Sequence, residues 1–217
     1  MKIQLKIFLW SVVALVALGA VFAYRHFSYH PVCTGIDVSH HNDILSSDSP
    51  EAYKRLDSIQ FLIAKATQGN GFVDSKYKRH RDFARKQWLK FGAYHFLTRE
   101  HEASDQFDNF KRIAGKDIDI IPCLDIEGYD GRQWSRGEAR KQLKEWNERC
   151  KEYYGAYPIV YCNEFYRIAY FHDMPNKFWI NNWVTRPLLD CAIHQYTSND
   201  ETLDYNYLPF PIENILL

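Results

Sequence analysis

The chain reads as an α/β domain behind an apolar N-terminal helix. Strand-like and helix-like runs alternate from about residue 30 to the end. Polar and aromatic residues collect at one end of nearly every strand-like run, and Ile7 to Ala23 is almost purely apolar. Such alternation implies a mainly parallel sheet, open or closed into a barrel, with its site at the carboxyl ends of the strands.

The apolar run comes first. Lys2 and Lys6 precede it, and Arg25 and His26 follow. Its length gives about 26 Å of helix at ~1.5 Å per residue, near the lower limit for spanning a bilayer. It is a little long for a signal-peptide apolar region, although Val21-Phe22-Ala23 would serve as a cleavage site. The lysines would hold the N-terminus in the cytoplasm and send the body outside. Residues 1–29 are therefore expected to form a membrane anchor or signal with its linker, an uncleaved anchor being favoured. Residues 30–217 form a single domain, without repeats or low-complexity stretches.

Within it, strands are expected at Val32–Val38, Gln60–Ala66, Phe91–Phe96, Ile118–Ile126, Tyr157–Tyr161, Phe178–Ile180, Cys191–Tyr196 and near Leu203–Tyr205, from apolar or alternating runs bounded by turn residues. Helices are expected at Ser49–Ile59, Asp74–Leu89, His101–Ala114 and Ser135–Tyr154. Ser49-Pro50 offers an N-cap followed by proline, and Ser135 precedes Glu138 at capping-box spacing.

Composition narrows the function. With 27 basic and 27 acidic residues the formal net charge is zero, so no broad attraction to nucleic acid is implied. Aromatics make up 16% of the chain, enough for a large core or a sugar-stacking cleft. Five cysteines, Cys33, Cys123, Cys150, Cys162 and Cys191, match no zinc spacing and leave at least one thiol free.

The most informative segment is Leu124-Asp125-Ile126-Glu127, ahead of Gly128. In a strand Asp125 and Glu127 would face the same way. Two neighbouring carboxyls repel, one pKa rises, and a protonated acid then stands beside a carboxylate. Glycosidic bond cleavage uses such a pair. Asp37 ends the first strand, Lys65 to Gly69 the second, Tyr94 the third and Tyr161 the fifth. Trp179 and Asn181 end the sixth, Gln195 the seventh, and Asp204 lies in the last. His40, His41 and His95 could suggest a metal beside Asp37, but no helical histidine pair supports it, so neither metal nor cofactor is expected.

Taken in order, Gly35-Ile36-Asp37-Val38-Ser39, Ala64-Lys65-Ala66-Thr67, Gly92-Ala93-Tyr94-His95-Phe96, Leu124-Asp125-Ile126-Glu127, Trp179-Ile180-Asn181-Asn182, Gln195-Tyr196-Thr197-Ser198 and Asp204-x-Asn206 resemble glycoside hydrolase family 25, the muramidases typified by fungal and phage lysozymes. The resemblance covers about residues 34–207. It implies an irregular TIM-like β/α barrel of about eight strands and five helices. It also implies cleavage of the β-1,4 bond between N-acetylmuramic acid and N-acetylglucosamine in peptidoglycan. By the same resemblance Glu127 is the general acid, Asp125 the assisting carboxylate, and Asp37 and Asp204 complete the acidic cluster. Tyr94, Tyr161, Trp179, Asn181 and Gln195 would bind the glycan. Gln68 stands where the family often has Glu, His194 where it often has Trp, and His41-Asn42 where it often has Gln-Gly. These departures bear on subsites more than on catalysis.

Glycan strands of peptidoglycan, the membrane through the N-terminal helix, a cell-envelope location outside the cytoplasm and a monomeric state are the corresponding expectations. A non-catalytic wall-binding module would be expected to lose a carboxylate, and all four are present. A metal-dependent polysaccharide deacetylase would need a His/Asp ligand set that the spacing does not provide.

Overall fold

The structure is a computed structural model that describes residues 2–27, 32–42, 58–200 and 203–217. The chain divides into two compact units, Met1–Pro31 and Val32–Leu217.

The first unit contains one helix, α1 (Lys2–Phe27), which carries the apolar run. Ser11 Oγ donates to Ile7 O at 3.0 Å, so the hydroxyl inside that run is satisfied within the helix. Among the described residues no helix is long and apolar enough to cross a membrane, so the expected spanning anchor is not supported. The apolar run, broken by Ser11, accounts for only about 26 Å, against a hydrocarbon core of roughly 30 Å.

The second unit is a closed barrel. Its strands are β1 (Cys33–Val38), β2 (Phe61–Gln68), β4 (Lys90–Phe96), β5 (Cys123–Asp125), β6 (Ile159–Asn163), β7 (Phe178–Asn181), β8 (Ile193–Asp200) and β9 (Leu203–Leu208). They pair in that order, and β9 returns to β1 to close the ring. A short strand, β3 (Phe72–Val73), pairs antiparallel with the end of β2 outside the ring. The pairs from β1 through β8 are parallel, while β9 runs antiparallel to both neighbours. Four helices accompany the ring: α2 (Tyr77–Lys86), α3 (Ala103–Ala114), α4 (Arg136–Tyr154) and α5 (Glu164–Ala169). With α1 they make five among the described residues.

Side-chain alternation builds two cores. Phe61, Ile63, Cys123, Ile159, Trp179, Ile193 and Leu208 form one cluster, inside the ring. Leu62, Ala64, Phe91, Leu124, Val160 and Ile180 join Phe107, Phe110, Leu143 and Trp146 of α3 and α4 in the other. Both faces of the parallel strands are thus apolar, which is why those segments read as continuous runs rather than alternating ones. Gly35 is paired with Phe61, and a Cβ at Gly35 would stand 2.5 Å from the Phe61 ring. Only glycine leaves room for that aromatic in the narrow interior.

Helix α4 starts where its sequence signal lies. Ser135 accepts from the Glu138 amide and Glu138 returns a bond to the Ser135 amide, completing the capping box. Gly155 ends it in the left-handed region at φ 81°. Several expectations need correction. Of Ile118–Ile126, only Cys123–Asp125 is strand. Ile121 N instead bonds to Ile215 O, and Asp119 and Ile120 both donate to Phe91 O, so the start of the run is pinned outside the ladder. The sequence reading missed β3 and α5, which are two and six residues long. Ser49–Ile59 falls largely outside the described residues.

Candidate active site

Strand register brings the sequence-selected residues to one end of the barrel. Asp125 is level with Phe96 on β4 and Tyr161 on β6, Tyr161 with Trp179, Asn181 with Gln195, and Gln195 with Asn206. Asp37 faces Asp204 across the β1–β9 pair. Asp204 lies at the amino end of its strand, not the carboxyl end. It shares the site because β9 runs against its neighbours.

A chain of buried hydrogen bonds fixes this end. Asp37 Oδ2 accepts from Gln195 Nε2 at 2.9 Å and from Asn206 Nδ2 at 2.7 Å. Asn206 Oδ1 accepts from Trp179 Nε1 at 2.8 Å. Gln195 Oε1 accepts from Tyr161 OH at 3.0 Å, and Tyr161 OH accepts from Asn181 Nδ2 at 3.0 Å. The Tyr161 and Tyr94 rings meet Trp179 edge to face, at 4.9 and 6.4 Å between centroids. The Gln195 and Asn206 amides and the Tyr161 hydroxyl are therefore oriented by partners.

Asp125 is buried at the end of β5, and Glu127, just past it, is half-buried. Leu97 N donates to Asp125 O and Ile126 N to Tyr161 O, both at 2.9 Å, which fixes the backbone under the pair. Trp134 Nε1 donates to Glu127 O at 2.9 Å. Asp125 Oδ1 is buried and has no hydrogen-bond partner among the described residues. Such an atom calls for a donor from a ligand or solvent.

Electrostatics push every carboxyl here the same way. Burial, then the Asp204 charge, raises Asp37 to about 7 against the help of Asn206 and Gln195. Burial and Glu127 hold Asp125 well above the usual carboxylate range, opposed by Lys65. Burial raises Glu127 too, with Lys65 opposing and Asp204 adding. Asp204 rises through burial. The site therefore retains protons at pH values where exposed carboxyls have lost them.

The sequence reading left Lys65 and Asn206 out of the site. Lys65 Nζ donates to Gln68 Oε1 at 2.8 Å and stands 4.8 Å from the Phe96 ring centroid. Burial lowers its pKa, while Asp125, Asp74 and Glu127 raise it. Strand alternation could have found both: Lys65 follows inward Ile63 by two residues, and Asn206 follows Asp204 by two. The histidines serve other ends. His40 pairs with Asp74 at 2.8 Å, and His95 is buried against Thr67, Gln106 and Trp146. Among the described residues no group of His, Cys, Asp or Glu has the arrangement of a metal site.

Residues 36–205 match the family of glycosyl hydrolases family 25. The chain belongs to this family. Among its relatives, the uncharacterized protein YegX of Escherichia coli (strain K12) is 29% identical over 160 residues, covering 70% of this chain and 57% of the relative. The chain thus spans little more than half the length of that relative. An autolytic lysozyme of Clostridium acetobutylicum is 33% identical over 69 residues, 32% of this chain and 21% of its own. A family 25 glycosyl hydrolase from Bacillus anthracis superposes with a TM-score of 0.74 at 24% identity, covering 86% of this chain and 94% of its own. The bacterial lysozyme of Streptomyces coelicolor gives 0.71 at 19% identity, covering 84% and 94%. These structures share the barrel fold.

Proposed function

We propose that this family 25 chain is a peptidoglycan hydrolase, a muramidase cutting the β-1,4 bond between N-acetylmuramic acid and N-acetylglucosamine. The observation that carries the reading is the Asp125–Glu127 pair at the end of β5, flanked by Asp37 and Asp204, with burial raising the pKa of each of these carboxyls. Glu127, the less enclosed of the two, gives its proton to the leaving glycosidic oxygen. Asp125 faces the positive charge that develops on the sugar or takes the N–H of its acetamido group on the unpartnered Oδ1. Half-buried Tyr94 and Asn181 offer an apolar wall and a polar contact, with buried Tyr161, Trp179 and Gln195 packed behind them. The names of several relatives, lysozymes and muramidases, support the same chemistry. A wall substrate requires the working domain, residues 30–217, to act outside the cytoplasm, with Ile7–Ala23 directing export.

The test is Glu127→Gln assayed on purified peptidoglycan, with the new reducing ends identified. Hydrolysis is expected to fall by about 10²–10⁴-fold with the melting temperature kept. Native-rate release of reducing ends by this variant would remove Glu127 from the mechanism.

A further inference from the structure

Glu127 lies past the end of its strand, where no ladder holds it. Something else must fix a group whose aim decides catalysis. The segment that follows, residues 128–134, is irregular and includes left-handed backbone at Asp130 and Gly131, with φ of 52° and 69°. From the β4–α3 loop, Arg99 reaches across it. Its Nη2 donates to Arg132 O at 2.7 Å and its Nη1 to Gln133 O at 3.4 Å. Its guanidinium lies 4.9 Å from the Tyr129 ring centroid and 5.1 Å from that of Trp134. The Arg99 amide donates to Tyr129 OH at 2.7 Å, and Tyr129 OH donates to Glu100. Trp134 then holds the Glu127 carbonyl through its indole N–H at 2.9 Å.

We propose that Arg99 is a positioning residue for Glu127, acting through Trp134 and the loop carbonyls. The inference rests on the role proposed above for Glu127. A planar, permanently charged fork beside two rings can grip two carbonyls while stacking on an aromatic face; a lysine ammonium cannot. A second anchor comes from α5: Tyr166 OH accepts from Trp134 N at 2.9 Å and donates to Gln133 Oε1 at 2.8 Å. This anchor holds the backbone of the segment, while Arg99 sets the indole plane that meets Glu127. Releasing Arg99 should therefore let Glu127 drift without unfolding the barrel.

The groups facing Glu127 are Lys65 from β2, Asp204 from β9, Asp125 from β5 and Tyr161 from β6. None is on the Arg99 loop, so a change in Glu127 on altering Arg99 would report position, not a lost charge partner. A looser Glu127 meets more water, and its raised pKa falls back toward the ordinary value.

The experiment is steady-state kinetics of Arg99→Met and Trp134→Phe on solubilised peptidoglycan across pH. Arg99→Met should lose about 10- to 100-fold in kcat with KM within about twofold, as for a misplaced catalytic group. The alkaline limb of its kcat profile should move to lower pH. Trp134→Phe keeps a ring for Arg99 but loses the bond to Glu127 O, and should show the same limb shift. The double variant should cost no more than the larger single, because both act along one path. Arg85→Met, which cuts ion pairs to Asp117 and Asp119 at the opposite end of the barrel, should leave kcat and the profile unchanged. If Arg99→Met does not fold, Arg99→Lys, which keeps the charge but loses the fork that holds Arg132 O and Gln133 O, takes its place with the same expected loss in kcat and limb shift. An unchanged kcat and alkaline limb, with Glu127→Gln inactive, overturns the positioning role. An active Glu127→Gln overturns the reading of the site and this role with it.

Discussion

Asp37 occupies a place that favours its neutral form. It is buried, faces Asp204, and has two amide donors on a single oxygen. Its folded pKa of about 7 lies above the roughly 3.9 of an unfolded aspartate. The sign follows: the native state binds the proton more tightly, so the contribution to stability is full below the unfolded pKa. It is lost as pH rises through the folded one. Asp37→Asn removes this dependence, and its Oδ1 can still accept from Gln195 and Asn206. The variant should melt higher than the parent at pH 8 and show no gain at pH 4, in thermal scans at both. Equal melting at pH 8 would mean that the carboxyl bears no cost there. A site that stabilises the protein when a carboxyl is replaced is one kept for chemistry rather than for folding.

At the scale of elements, local signals were legible and closure was not. The Ser135–Glu138 spacing announces the start of α4 because a cap is satisfied within four residues. Ser135→Ala should cost about 1 kcal/mol of stability, read in urea unfolding, with kcat unchanged because Arg99 and Tyr166 still hold the preceding loop. A kcat loss larger than that of Arg99→Met would shift the anchoring role to the cap. By contrast, the apolar run from Ile118 looked like one long strand, yet its first half bonds to Phe91 and to Ile215, a partner some ninety residues away in sequence. Short β3 and α5 carry too few residues for a period to show. The same division runs through the site. Asp125, Glu127 and Asp37 were visible as acids at strand ends. Alternation places Lys65 and Asn206 on the inward face, but that Asn206 bonds Asp37 and that Lys65 stands among the acids follows only from which strands meet when the ring closes.

For the whole molecule, the question is how much of the chain the chemistry needs. Both apolar clusters, inside the ring and beneath the helices, are built from residues between Cys33 and Leu216. Each fully buried large side chain, such as Phe61, Phe91 or Trp146, contributes roughly 1.5–3 kcal/mol by leaving water. The ring is closed by β1 and β9, so its integrity depends on residues from Cys33 to Leu208 being present. Helix α1 belongs to a separate compact unit. Its exposed Ile7, Phe8, Leu9, Trp10, Leu15 and Val16 form a surface that favours association or lipid. A chain starting at Tyr29 should therefore stay soluble in sedimentation. It should keep the melting temperature of the barrel and cleave purified peptidoglycan at the full-length rate. Loss of the cooperative melt on removing residues 1–28 would show that the barrel needs α1 to fold. A normal melt with lost cleavage would instead place part of the wall-binding apparatus on that helix.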